Sequence, residues 1–203
     1  DSILTQVRLL RQISSEFSSY ATQPTVERRP TSPRELVDAV LKPYRVGLAD
    51  RIAVAVDVPS SLPALALDRT LVGRALTNII ENALHAMPAT GTLEVGGTSE
   101  GNTVIFTVTD TGIGLDPETL QRIFEPYFST KVAGTGLGMA IAKRNIELNG
   151  GDIEVVSRKD YGTKVTLRFR NAGQRAAGNS EVGGARSFGT SSGAETDGDV
   201  SEF

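Results

Sequence analysis

The chain has no cysteine, which excludes disulfides and thiolate metal sites and agrees with a reducing cytoplasm. Its 21 basic and 24 acidic residues nearly cancel, leaving no broad field that would attract nucleic acid or an anionic membrane. Any phosphate must then be held by local groups. No run approaches the ~18 apolar residues of a membrane span, and the start carries no signal-peptide pattern. No internal repeat is visible, and histidine occurs once, at His85. The sequence opens on Asp1 instead of Met, so it reads as a fragment of a longer protein with a sensor or an inner-membrane anchor upstream.

What is present suits one medium domain with appendages: 203 residues, 39% of them hydrophobic. From Ile3, the apolar residues Val7, Leu10, Ile13, Phe17 and Tyr20 recur at steps of three or four, which predicts an amphipathic helix over 1–22 with no partner nearby. The polar stretch 23–31 reads as a linker. Ser32-Pro33-Arg34-Glu35 supplies a cap, a proline at the first helical position and a glutamate three residues later. A helix to about Leu48 is expected, opening a globular domain over 32–170. A strand follows at Ile52–Val58, then a helix capped by Asp68 that runs to about Met87. Leu93–Thr98 and Thr103–Thr109 read as a hairpin turning through Glu100-Gly101-Asn102. A short helix is expected at Pro117–Ile123, an irregular loop at Glu125–Gly136, and a helix at Leu137–Leu148. A second hairpin, Ile153–Ser157 with Lys164–Phe169, closes the domain. The glycine- and serine-rich stretch 171–203 has too few large apolar groups to offset ordering entropy and is expected to be disordered.

The candidate site residues fall in four places. On the helix from Arg69, Val72, Leu76, Ile79, Ala83 and Met87 form a stripe expected to pack inward, while Leu71, Ala75, Asn78, Asn82 and His85 form an adjacent stripe expected to face a ligand. Two asparagines at i and i+4 in a helix interior have low propensity and amides that need partners. Asp110 ends a strand, and the glycines in Asp110-Thr111-Gly112-Ile113-Gly114 allow close approach of backbone to a ligand. Phe124-Glu125-Pro126-Tyr127-Phe128 precedes Lys131; Phe124 and Phe128 are expected to anchor that loop, with Tyr127 able to do the same. Gly134-Thr135-Gly136-Leu137-Gly138 feeds a helix whose first N–H groups can receive phosphate oxygens. No Gly-Lys-Thr or Gly-Lys-Ser follows, so it is not a P-loop. Lys131 is within reach of a terminal phosphate as a point charge.

In that order these elements resemble the N, G1, F and G2 boxes of the ATP-binding catalytic domain of sensor histidine kinases, over roughly residues 33 to 170. The spelling around Phe124–Lys131 is similar to the nitrogen-regulation group. The resemblance implies a two-layer α/β sandwich of the Bergerat type with a mixed sheet, preceded by the second helix of a dimerisation hairpin. It implies ATP and Mg2+ as cofactors, with Asn82 as the magnesium ligand, Asp110 accepting from the adenine amine, and Thr163 as a second contact through water. Asn78, Asn82 and Lys131 are the implied catalytic residues. His85 lies where many relatives carry a phosphate-contacting lysine; contact with ATP and a plain surface histidine both remain open for it.

In gyrase, Hsp90 and mismatch-repair ATPases the Asn78 position typically holds a glutamate that activates water, so Asn78 implies phosphoryl transfer instead of hydrolysis. The acceptor would be a histidine on the missing first hairpin helix, and a response-regulator aspartate would take the phosphoryl group next. The full protein would be a homodimer. His85 is rejected as acceptor because it lies in the Asn helix and no acidic residue follows it. The alternative is a degenerate ATP-binding signalling module without kinase activity. A gyrase-like machine or a serine kinase of the anti-sigma type are the further rivals.

Overall fold

The computed structural model describes residue 7 and residues 24–44, 48, 51–131 and 134–171. The amphipathic segment expected over 1–22, apart from helical Val7, and the tail after Asn171 lie outside the described residues. The chain builds α1 (Pro33–Leu41) behind the expected cap, with Ser32 Oγ accepting the Glu35 N–H at 3.4 Å. This helix stops at Leu41, short of the expected Leu48, because Pro43 has no N–H to continue the ladder. Part of the expected linker is a strand: β1 (Arg29–Thr31) pairs antiparallel with β3 (Leu65–Leu67). Three residues hold too little alternation to announce a strand from sequence.

The larger sheet runs β2-β4-β5-β7-β6, with β2 (Ile52–Asp57), β4 (Gly91–Glu100), β5 (Thr103–Asp110), β6 (Gly151–Arg158) and β7 (Gly162–Arg170). Only β2 and β4 are parallel, and such a pair needs a long crossover. That crossover carries α2 (Arg69–Ala86). The other pairings are antiparallel, among them both expected hairpins, so the sheet is mixed. A short α3 (Pro117–Arg122) and the longer α4 (Gly138–Leu148) follow β5. The edge strand β2 keeps only Ile52 fully buried, because one side of it has no neighbouring strand to cover it.

Alternation along the strands sends Leu93, Val95, Val104, Phe106, Val108, Ile153, Val165, Leu167 and Phe169 to one face. That face meets Leu36, Val37 and Leu41 of α1, the apolar stripe of α2, and Ala142 and Ile146 of α4 in one core. Phe106 and Phe169 pack edge to face at 5.9 Å. The architecture is the expected two-layer α/β sandwich.

The start of α2 is stitched to the end of α4. Asp68 Oδ1 accepts the N–H groups of Thr70 and Leu71 at 3.0 and 3.1 Å, and Oδ2 accepts that of Glu27 at 3.0 Å. The Asp68 N–H donates to Asn149 Oδ1 at 2.7 Å. One buried carboxylate therefore caps a helix and ties down the chain before β1. Replacing Asp68 with Ala is expected to cost about 2 kcal/mol in urea unfolding, while Asp68→Asn, which keeps an acceptor, recovers more than half. Equal losses in the two variants would show that the cap carries none of the effect.

Candidate nucleotide site

Val72, Leu76, Ile79, Ala83 and Met87 are buried as expected, and Ile80 joins them. Ala75, expected on the ligand-facing stripe, is fully buried too. The correction has a simple cause: α2 is covered from two sides, by the sheet and by α4, whose Asn145 Nδ2 donates to Leu71 O at 3.2 Å. What remains accessible is a narrower strip in which Leu71, Asn78 and Asn82 are half-buried and His85 is exposed.

Both asparagines have partners far away in sequence. Asn78 Nδ2 donates to the Gly138 carbonyl at 2.9 Å, joining α2 to the start of α4. Asn82 Oδ1 accepts from Lys131 Nζ at 2.6 Å, joining the helix to the loop after α3. Partial desolvation of the Lys131 ammonium lowers its pKa, against the pull of the Glu81 carboxylate. Glu81 itself is exposed and accepts from Tyr44 Oη at 3.0 Å. Desolvation, and then this carboxylate, push the Tyr44 phenol up to about 12.

Asp110 closes β5 as a buried carboxylate. Its Oδ1 accepts the Gly112 N–H at 2.8 Å, and its side chain also accepts the Thr163 N–H. Burial nevertheless raises its pKa above the ordinary 3.8, outweighing those two donors. The loop that follows is held on both sides: Ile113 N–H donates to Ala86 O at 3.0 Å, and Ile113 O accepts the Asp160 N–H at 2.7 Å. Gly114 has φ +61, and a side chain there would run into the Arg158 carbonyl.

The second glycine stretch lies against the helix side of the site. Gly136 has φ +70 and backs onto Tyr127 and Phe128, so a Cβ there would strike their backbone. Thr135 Oγ1 accepts the Leu137 N–H at 3.3 Å, and the Leu137 side chain is buried, leaving its backbone as the part able to face a ligand. Among the described residues no side chain caps α4, which leaves its first N–H groups as the place an anion could approach. Gly134 N–H donates to Lys131 O at 3.2 Å, closing the turn that carries the lysine. Phe124 packs on the core, and Phe128 lies under the Arg122 guanidinium at 4.1 Å. Tyr127, by contrast, is exposed with φ +65 and anchors nothing.

Sequence reasoning missed Ser157 and Tyr44. Ser157 Oγ accepts the Leu115 N–H at 2.9 Å and lies 2.8 Å from Thr163 Oγ1. Hairpin counting alone would have set Ser157 opposite Thr163. Among the described residues no cluster of three or more His, Asp or Glu could hold a metal. No described helix is long and apolar enough to cross a membrane.

An open helix N-terminus, a buried carboxylate at a strand end and two helical amides suit an ATP-binding α/β domain. The family model described as "Histidine kinase-, DNA gyrase B-, and HSP90-like ATPase" matches residues 67–173, and the chain belongs to that family. The chain is 33% identical to nitrogen regulation protein NtrY of Azorhizobium caulinodans over 184 residues, 87% of this chain and 24% of that protein. It is 41% identical to sensor histidine kinase ZraS of Salmonella typhimurium over 108 residues, 53% of this chain and 23% of that protein. The chain thus spans about a quarter of the length of these relatives. The catalytic domain of histidine kinase ThkA superposes with a TM-score of 0.65 at 26% identity, covering 71% of this chain and 96% of that one. Full-length ShkA in complex with AMPPNP gives 0.70 at 26% identity, covering 83% and 36%.

The raised pKa of Asp110 has a thermodynamic consequence. The folded chain binds this proton more tightly than the unfolded chain, so the contribution of Asp110 to stability is greatest below pH 3.8 and is lost as pH rises through the folded pKa. At neutral pH the buried charge therefore opposes folding. Asp110→Asn, which keeps an acceptor for Gly112, is expected to raise the melting temperature of the nucleotide-free chain at pH 7, with the gain shrinking toward pH 3.5. A lower melting temperature at pH 7 would contradict this assignment.

Proposed function

We propose that this chain is the ATP-binding catalytic part of a sensor histidine kinase, passing the γ-phosphoryl group of Mg-ATP to a histidine on a dimerisation hairpin. The observation that carries the reading is the fate of Asn78. Its amide is spent on Gly138 O, and the nearest carboxylate on the helix, Glu81, is turned toward Tyr44. At the Asn78 position, where related ATPases carry a glutamate, an amide offers no base to activate water, which favours an incoming histidine as the nucleophile. The names of NtrY, ZraS and ThkA agree with this, and ShkA was solved with AMPPNP.

The geometry is compatible with the following roles. Asp110 accepts from the adenine amine and Thr163 adds a second contact through water. Gly112 and Gly114 let the loop approach the base. Phosphates lie along the stretch from Gly134 through Gly138, with Thr135, Gly136 and Leu137 between, and meet the N–H groups at the start of α4, while Lys131 and His85 line the outer side. Catalysis here is positioning and charge neutralisation. The donor set fits magnesium in one way: Asn82 Oδ1 already faces a cation, Lys131 Nζ, and is a hard oxygen of the kind this ion takes beside substrate phosphates and water. Mg2+ would draw charge off the phosphate oxygens during transfer. In the full protein the hairpin would pair two copies, and a response-regulator aspartate would take the phosphoryl group.

Two measurements test the reading. Asp110→Asn is expected to weaken ATP about 10- to 150-fold in calorimetric titration; an unchanged dissociation constant removes Asp110 from the adenine contact. With radiolabelled ATP the chain alone should leave His85 unmodified, and a supplied hairpin carrying its own histidine should acquire acid-labile label. Asn82→Ala should abolish that transfer and the magnesium dependence of binding while the fold survives. Label on this chain alone, lost in His85→Gln, would overturn the placement of the acceptor. ATP binding without transfer to any hairpin would select a signalling module that has lost kinase activity.

A further inference from the structure

The registers of three strands line up one row of side chains. Asp110 on β5 pairs with Thr163 on β7, and Thr163 pairs with Ser157 on β6. Directly paired residues point to the same face. The row therefore lies on the helix-covered face, where the apolar core gives way to the base pocket.

The hydrogen bonds of Ser157 fix where its proton goes. Its Oγ has one proton to give and two lone pairs to accept with. It touches three groups: Leu115 N at 2.9 Å, Gly162 O at 3.0 Å and Thr163 Oγ1 at 2.8 Å. An amide nitrogen can only donate and a carbonyl oxygen can only accept. Ser157 therefore accepts from Leu115 and donates to Gly162, and its remaining lone pair must be met by the Thr163 proton. The threonine hydroxyl is thereby committed as a donor away from the pocket and can offer only lone pairs toward it. Asp110, ionised, is likewise an acceptor.

We propose that Ser157 is a specificity-determining residue: by fixing the polarity of Thr163 it makes the edge formed by Asp110 and Thr163 present acceptors, which favours a 6-amino purine over a 6-oxo purine. This rests on the ATP-site reading above. Ser157 touches no nucleotide; it is a positioning residue acting through Thr163. Without it the Thr163 hydroxyl is free to rotate and donate toward a 6-oxo group, directly or through the bridging water. A site that pairs with a substrate amine discriminates because the wrong base leaves buried polar groups unpaired.

The test uses the full chain and two probes differing at position 6 of the base, Mg-ATP and Mg-ITP, each titrated calorimetrically. The parent is expected to favour ATP. Ser157→Ala should narrow the ATP-to-ITP affinity ratio by about tenfold, mainly by tightening ITP, and Ser157→Thr, which keeps a hydroxyl, should restore it. Thr163→Val should also narrow the ratio, and the double variant should go no further than Thr163→Val alone. An unchanged ratio, or equal weakening of both nucleotides as a mere loop tether would give, overturns the proposal. Where Ser157→Ala fails to fold, Thr163→Ser against Thr163→Val decides, since only the serine keeps a hydroxyl for Ser157 to hold; equal ratios in the two would sink the idea. A parent binding neither nucleotide overturns the ATP-site reading itself, whereas a parent that binds both and is indifferent to Ser157→Ala overturns the polarity relay alone.

Discussion

Burial of α2 from two sides is the constraint on which the rest of the site depends. A helix pressed against both a sheet and a second helix keeps only a narrow strip for polar side chains, and each polar group there must find a partner. Asn78 finds its partner in Gly138 O, so the same bond that satisfies an amide also fixes the start of α4 relative to α2. At the other end of the helix, Ala86 O holds Ile113 and with it the loop after Asp110. The loop after Asp110 and the glycine stretch before α4 are thus both tied to one helix. Packing precision in the core becomes geometric precision at the ligand.

The sheet contributes by ending its apolar rows in polar ones. Along β5, Val104, Phe106 and Val108 point into the core and Asp110 continues the alternation, so the carboxylate is buried by its register alone. Its charge is costly there, and backbone donors from Gly112 and Thr163 offset only part of the cost. A nucleotide-free protein tolerates such a group because the rest of the core is continuous and apolar. Stability elsewhere in the core offsets that cost.

Most of this architecture was legible because its signals are local. Ser32 and Asp68 cap their helices as their sequences indicate, Asn102 and Tyr161 lie in the turns of the two hairpins, and Asn149-Gly150 ends α4. What sequence could not give is pairing between distant segments. The β1–β3 pair joins residues more than thirty apart, each too short to show a period. Ala75 looked like a ligand-facing residue because helical spacing gives neighbours on the helix but not what covers them. Ser157 escaped notice for the same reason, since a lone serine in a strand means little until Thr163 and Leu115 are seen around it. Likewise nothing local links Tyr44 to Glu81.

The charge layout explains how a chain of nearly balanced charge can hold a polyanion. Its net charge of -3 provides no attraction at a distance, so binding must come from short-range donors that are already oriented. The open end of α4 supplies backbone N–H groups without adding a full charge. Lys131 brings an ammonium onto the asparagine strip, and Asn82 holds it there at 2.6 Å. Glu81, one residue earlier, points about 100° away around the helix and toward Tyr44. With amides at Asn78 and Asn82 the strip itself carries no carboxylate, and the charge of Glu81 reaches it as a pull on the Lys131 ammonium.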